Sequence, residues 1–236
     1  MVQYYRIAGL VVEMDTFGRA ADFARPYMID FNGEPDLKIQ ADWSRFQKRF
    51  PNVSDATYEY QATAWSFNTQ LPNFDGLMLH SSALVMDGKA YLFSAPCGTG
   101  KSTHVSLWRR VFGDERVRVL NDDKPALRLE DGVWYAYGTP WSGKTGQNMN
   151  IRVPVGGIAM IERGEKNEVV PFTGTEAVFA VMGQIAKSSD AATRVKMMEM
   201  LDKLLTMVPV WKLRCNMDPE AAVVAFETMS GMKKEN

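Results

Sequence analysis

One stretch constrains this chain more than any other. From residue 91 it reads Tyr91-Leu92-Phe93-Ser94-Ala95-Pro96-Cys97-Gly98-Thr99-Gly100-Lys101-Ser102-Thr103. An apolar strand, a glycine-containing loop and then Lys-Ser is the pattern of a phosphate-binding loop at the start of a helix. Gly98 and Gly100 let successive backbone N–H groups turn towards phosphate oxygens, from Cys97 and Thr99 through Thr103. Lys101 reaches the β- and γ-phosphates, and the Ser102 hydroxyl can ligate Mg²⁺. A helix beginning near Ser102 points the positive end of its dipole at the same anion. Ala95 stands where the pattern usually has its first glycine. That is tolerable if the position needs no positive φ, and Pro96 favours an extended Ala95. The competing reading is a glycine-rich turn with a chance Lys-Ser, and the flanking strand and helix patterns speak against it.

The bulk properties exclude several classes. A chain of 236 residues is one domain, or one domain with an appended lobe. A net charge of −1 gives no nucleic-acid or acidic-membrane surface. No apolar run is long enough to span a bilayer and no signal-peptide pattern opens the chain. Two cysteines, Cys97 and Cys215, offer neither a disulfide framework nor a metal cluster, so a reducing cytoplasm is expected.

In order, residues 1–75 read as a β-rich flank plus a helix. Residues 2–14 hold one or two strands. Residues 26–31 and 37–43 look like two more, joined across Asn32-Gly33-Glu34-Pro35-Asp36,. After a short basic stretch, 44–51, Ser54 can cap a helix to about residue 69. Residues 76–174 read as the core. Strands are expected at 77–80, 83–86 and 90–94, the last two joined by the hairpin signal Asp87-Gly88,. A helix follows over 102–112, then strands at 116–120, 125–129 and 133–137. An unusual loop occupies 138–146, and strands follow at 151–162 and 168–172. Residues 175–236 read as mainly helical: 175–186, 191–207 and a helix to about 229 with Asp218 as cap and Pro219 in its first turn. A last strand is expected at 208–214. Hairpin-joined strands after the phosphate helix argue against alternating βαβ order. The expected fold is α/β of the α+β kind: a mixed, largely antiparallel sheet.

Residues 79–154 resemble the HPr kinase and phosphoenolpyruvate carboxykinase superfamily. His80-Ser81-Ser82-Ala83-Leu84-Val85 is similar to the His-containing strand before the phosphate loop in HPr kinases. Pro96 to Thr103 resembles the superfamily's variant of that loop, and Asp122-Asp123 its paired aspartates. Asn150-Ile151-Arg152-Val153-Pro154 is similar to the arginine segment of carboxykinases, with a different spacing to the proline. The chain is too short for a full carboxykinase, and no segment matches the phosphorolysis region of bifunctional HPr kinases. The resemblance implies a compact P-loop kinase core that uses ATP and Mg²⁺, with a homo-oligomer as one option.

Phosphoryl transfer needs a phosphate clamp, a metal and a group that orients the nucleophile. Ser102 and one aspartate would hold Mg²⁺, a cation that prefers oxygen ligands. The resemblance implies that the other aspartate accepts the proton of the attacking hydroxyl. Asp122 is assigned to the metal and Asp123 to the base, with the reverse order open. His80 would assist the base or bind phosphate; a hydrogen-bonded strand-end histidine is the plainer role. Lys144 suits a mobile cation that closes on phosphate, or a solvated loop lysine. Arg152 would neutralise the transferred group or make a structural ion pair. Trp141 would wall the pocket or sit in the core, and His104 is read as a surface or packing residue. Cys97, beside helix-end amides, is expected to be alkylation-sensitive. The expected function is a kinase acting on a hydroxyl of a protein, peptide or small molecule. The alternatives are a non-catalytic ATP-binding sensor and, third, carboxykinase-like chemistry on a small keto acid. ATP and GTP are not distinguished.

Overall fold

The computed structural model describes residues 3–49 and 51–232. Met1, Val2, Phe50, the tail from 233 and the side chains of Arg45 and Arg49 lie outside that description.

The opening segment forms a small sheet of its own. Strands β1 (Gln3–Ile7) and β2 (Leu10–Met14) pair antiparallel. Ala8 and Gly9 turn the chain between them at φ 52° and 80°. Helix α1 (Gly18–Ala24) follows, and the sequence pattern does not announce it. It has seven residues, no side-chain cap and a glycine at its start, so none of the usual start signals is present,. The two strands expected over 26–31 and 37–43 shrink to β3 (Met28–Ile29) and β4 (Leu37–Ile39). They are not hairpin partners. The strand order is β3-β1-β2-β4, which puts them on opposite edges. Arg25-Pro26-Tyr27 forms a 3-10 turn instead of strand, and Pro26 has no N–H to give a ladder,. The basic stretch becomes helix α2 (Ser44–Arg49), and α3 (Asp55–Gln70) starts where Ser54 predicts. The Ser54 hydroxyl meets the Thr57 hydroxyl at 3.0 Å rather than a backbone amide.

The main sheet contains β5 (Gly76–Met78), β6 (Ser81–Met86), β7 (Lys89–Ser94), β8 (Val117–Asn121), β9 (Ala126–Glu130), β10 (Val133–Tyr137) and β11 (Arg152–Arg163). β12 (Glu168–Pro171) and β13 (Val210–Cys215) complete it. The path runs β5-β9-β10-β11-β7-β6-β8. β11 is twelve residues long and serves three partners. Its first residues pair antiparallel with β10, its middle parallel with β7 and its end parallel with β13. The other pairings within the sheet are antiparallel. The fold is therefore a mixed α+β arrangement with mostly antiparallel pairing.

Alternation along β7 explains its apolar run. Ala90 and Leu92 join one core with Ile158, Val181, Leu201 and Leu204. Tyr91 and Phe93 join the other with Trp108, Leu213 and Phe226. Helices α5 (Gly174–Met182) and α6 (Ala191–Met207) cover the first face, while α4 (Lys101–Phe112) and α7 (Glu220–Ser230) cover the second. A strand buried on both faces carries no polar alternation. Two helix ends differ from expectation. α5 stops at Met182, before Gly183, so residues 183–186 leave the helix. Asp218 does not cap α7, because its carboxylate accepts from the Asn216 side chain at 3.0 Å.

Candidate functional site

The site gathers at the C-terminal end of β7. There the chain leaves the sheet, makes the loop 95–100 and enters α4. Gly98 and Gly100 sit at φ 80° and 128°, while Ala95 is absent from the positive-φ residues. That is the condition under which alanine can replace the first glycine. The Lys101 ammonium folds back on the loop and donates to the Ala95 carbonyl at 3.0 Å. Burial pushes Lys101 below the ordinary lysine range, and the carboxylates of Asp123 and Asp122 pull the other way. α4 has no side-chain cap, so its first amides face the loop without a protein acceptor from that source,.

β8 delivers the Asp pair to the same place, and Asn121 sets its geometry. Asn121 is fully buried. Its amide NH₂ donates to the Thr139 carbonyl and hydroxyl at 2.9 and 3.1 Å. Its oxygen accepts from the backbone of Asp123 and Lys124 at 2.9 and 2.7 Å. The Thr139 hydroxyl closes the knot on the Lys124 carbonyl at 2.7 Å.

The two aspartates point into different surroundings. Asp122 accepts from the Ser82 hydroxyl at 2.7 Å and from the Thr145 hydroxyl at 2.9 Å. Ser82 in turn lies 3.5 Å from the Ser102 hydroxyl. Asp123 has one oxygen paired with the Lys124 ammonium. Its other oxygen faces His80 Nε2 at 3.5 Å. The opposite ring nitrogen of His80 meets Gln184 Oε1 at 3.0 Å. A carboxamide oxygen only accepts, so that nitrogen carries the proton and Nε2 offers a lone pair. Burial first, and Lys101 next, hold His80 below the usual histidine pKa, so the ring is neutral at pH 7. Asp123 and His80 thus face one another as two proton acceptors, too far apart for a hydrogen bond. Gly143 packs against this pair; a Cβ there would lie 3.0 Å from the Asp123 Cβ. Its N–H donates to the Tyr60 hydroxyl at 2.8 Å, which fixes the loop over α3.

The structure therefore brings together His80, Lys101, Ser102, Asp122 and Asp123. Thr103 and Cys97 are exposed beside them, and Lys144 is exposed in the adjoining loop with no hydrogen bond or ion pair among the described residues. Arg152 is elsewhere. It opens β11, pairs with Glu130 at 2.5 Å and lies over the Tyr135 ring at 4.7 Å. The register aligns Met160 of β11 with Ser94 of β7, and at about 3.3 Å per residue Arg152 is roughly 25 Å from that level. Its structural ion-pair role is the one realised. The arginine at the site is Arg163, at the other end of the same strand. It donates to the Gly98 and Thr99 carbonyls at 2.7 and 3.3 Å. Trp141 is a core residue, stacked near Phe67 and donating to Thr63 at 3.1 Å. His104 is a packing residue, accepting from Trp108 at 3.0 Å.

Several site residues escape the sequence reading. Lys124 directly follows the Asp pair and could have been read with it. Ser82 is two residues from His80, the spacing that returns a strand side chain to the same face. Gln184 and Arg163 act through partners distant in sequence, and no local signal marks them; Asn121 bonds the backbone two and three residues ahead, but its tie to Thr139 is distant. Arg163 also lines a cleft of about 500 Å³ with Gly98, Gly100, Thr103, Cys215 and Met217. It opens beside the loop.

The profile of the family described as SynChlorMet cassette protein ScmC matches residues 59–220. The chain belongs to the ScmC family. The matched span of this ScmC-family chain holds every residue of the site, from Tyr60 on α3 through His80, loop 95–100 and the Asp pair to Gln184. Among curated proteins nothing matches. A solved structure of the HPr(Ser) kinase/phosphatase from Coxiella burnetii is similar at 12% identity and a TM-score of 0.35. The alignment covers 65% of this chain and 93% of that one. A likeness at that score does not establish fold or activity. No helix among the described residues is long and apolar enough to cross a membrane.

Proposed function

We propose that this ScmC-family chain is an ATP- and Mg²⁺-dependent kinase that phosphorylates a hydroxyl group. One observation carries the reading: beside a glycine-turned loop with a buried lysine, one aspartate sits among hydroxyls and the other faces a neutral histidine. Lys101 and the amides of Gly98 to Thr103 would hold the β- and γ-phosphates. Lys144 and Lys124 add positive charge at the rim. No cluster of three or more His, Cys, Asp or Glu among the described residues could hold a metal by itself. The oxygens of Ser102, Asp122 and Ser82 instead fit a hard cation that also takes phosphate oxygens,. Bound there, Mg²⁺ would neutralise phosphate charge. Asp123, with one oxygen turned to His80 and the other paired with Lys124, would accept the hydroxyl proton, a role its proximity to His80 supports,. Arg163 would keep the loop carbonyls turned away from the anion.

Replacing Lys101 by Ala or Asp123 by Asn lowers phosphate transfer at least a thousandfold, read as label moving from γ-³²P-ATP to an acceptor. Asp123→Asn keeps Mg-ATP binding while Lys101→Ala loses it. Wild-type turnover in both variants contradicts the assignment. The Lys124–Asp123 pair favours one second reading, a nucleotide sensor in which Asp123 is kept occupied. Binding of Mg-ATP with no transfer to any acceptor would select it.

A further inference from the structure

His80 and Lys124 also line a second cleft, of about 420 Å³, that shares no residue with the cleft beside the loop. The site lies beside both: Gly100 lines the first cleft, His80 and Lys124 line the second, and the Lys101 charge acts on both His80 and Asp123. Ala64 and Trp65 of α3, Met78 of β5 and Ile185 give the second cleft an apolar wall. The wall is fixed, because the Asn68 side chain donates to the Ala186 carbonyl at 3.0 Å and the Gln184 backbone accepts from the His80 N–H at 2.9 Å. Its charge is one-sided. Lys124, whose ammonium is paired with Asp123, and Lys187 line it, and no Asp or Glu among the described residues does. Lys187 is exposed, with no ion-pair partner among the described residues. A half-open cleft of this size suits a small molecule rather than a protein surface,. An apolar wall with a positive rim selects a ligand with an apolar body and an anionic group.

We propose that the second cleft is the acceptor site and that the acceptor is a small hydroxy acid. Its apolar or aromatic body lies against Trp65, its carboxylate meets Lys187 and its hydroxyl reaches His80 and Asp123. The assignment rests on the kinase reading above. In the transfer, the hydroxyl oxygen forms a bond to the γ-phosphorus and the bond from that phosphorus to the β,γ-bridging oxygen breaks. ADP leaves with that electron pair, and the hydroxyl proton passes to the Asp123 carboxylate.

Three probes separate the features: 3-phenyllactate has ring, carboxylate and hydroxyl; glycolate lacks the ring; 3-phenyl-1,2-propanediol lacks the carboxylate. Calorimetry on the full chain measures binding, and γ-³²P-ATP measures transfer. The expected result is that 3-phenyllactate binds at least tenfold tighter than either control and accepts label. Lys187→Glu, a surface change checked by its melting curve, weakens that binding at least tenfold and leaves Mg-ATP binding unchanged. Equal binding of 3-phenyllactate and glycolate, indifference to Lys187→Glu, or label passing to a neutral serine peptide in preference overturns the assignment. The two claims fail separately. A chain that binds 3-phenyllactate but not Mg-ATP keeps the cleft as a hydroxy-acid site and refutes the kinase. A chain that binds Mg-ATP but not 3-phenyllactate refutes the acceptor.

Discussion

Asn121 shows how one uncharged residue can decide where two charged ones point. It satisfies the amides of Asp123 and Lys124 and ties them to Thr139 in a place closed to water. Asn121→Ala leaves those groups without partners. It should destabilise the chain by about 2–4 kcal/mol, read from urea unfolding, since each orphaned buried group costs about 1–3 kcal/mol. An unchanged midpoint would show that water or neighbours replace it. The sequence displays Asn121 beside the Asp pair but not the tie that fixes Asn121, because Thr139 lies on a different loop. His104 offers a second test. Burial holds its folded-state pKa down to about 3, against about 6.5 in an unfolded chain. Between those values the unfolded state binds the extra proton. Stability is therefore complete above about pH 6.5 and falls as pH drops towards 3, by up to about 1.4 kcal/mol per pH unit. His104→Gln should flatten that slope in acid unfolding curves; an identical slope would place the titration elsewhere.

At the scale of elements, the local signals were reliable where turns are tight. Asp87-Gly88 and Asp131-Gly132 both adopt positive φ at both residues and join antiparallel strands, as their chemistry requires,. α3, α4 and α6 begin within a residue of their expected starts. α1 was hidden because nothing caps it. The edge strands near residues 26–31 and 37–43 were over-read because β-rich composition does not reveal how little ladder is formed,. The loop 138–146 depends on close backbone contact. A Cβ on Gly138 would stand 1.9 Å from the Met149 carbonyl oxygen and 2.9 Å from that of Leu120. Backbone cannot step aside there as a side chain could. Gly138→Ala should lower stability by about 2–4 kcal/mol and, by shifting Thr139, weaken Mg-ATP binding too. A variant with wild-type melting would show that the loop moves independently of β8.

At the scale of the whole molecule, the long strand β11 decides which residues meet. Its parallel register with β7 carries Arg163 to the loop and leaves Arg152 at the far end. Neither outcome is readable from a strand's own residues, since alternation fixes faces but not neighbours. The same holds for β13, which the sequence suggests as a strand and the fold inserts beside β11. The mixed, mostly antiparallel sheet follows from the hairpin signals after α4, and so was legible; the strand order was not. Helices cover both faces of β7, and near its C-terminal end Gly98 and Gly100 line one cleft while His80 and Lys124 line the other.

The central claim is that the loop between β7 and α4 is a Mg-ATP site. The most direct measurement is the melting temperature of the chain with and without Mg-ATP, beside Lys101→Ala. At a hundredfold excess over Kd, binding to the folded state alone adds about 2.7 kcal/mol, or roughly 5–10 °C for a chain of this length. The account predicts that rise in the wild type, its dependence on Mg²⁺ and its loss in Lys101→Ala. No rise, or the same rise in the variant, would contradict it.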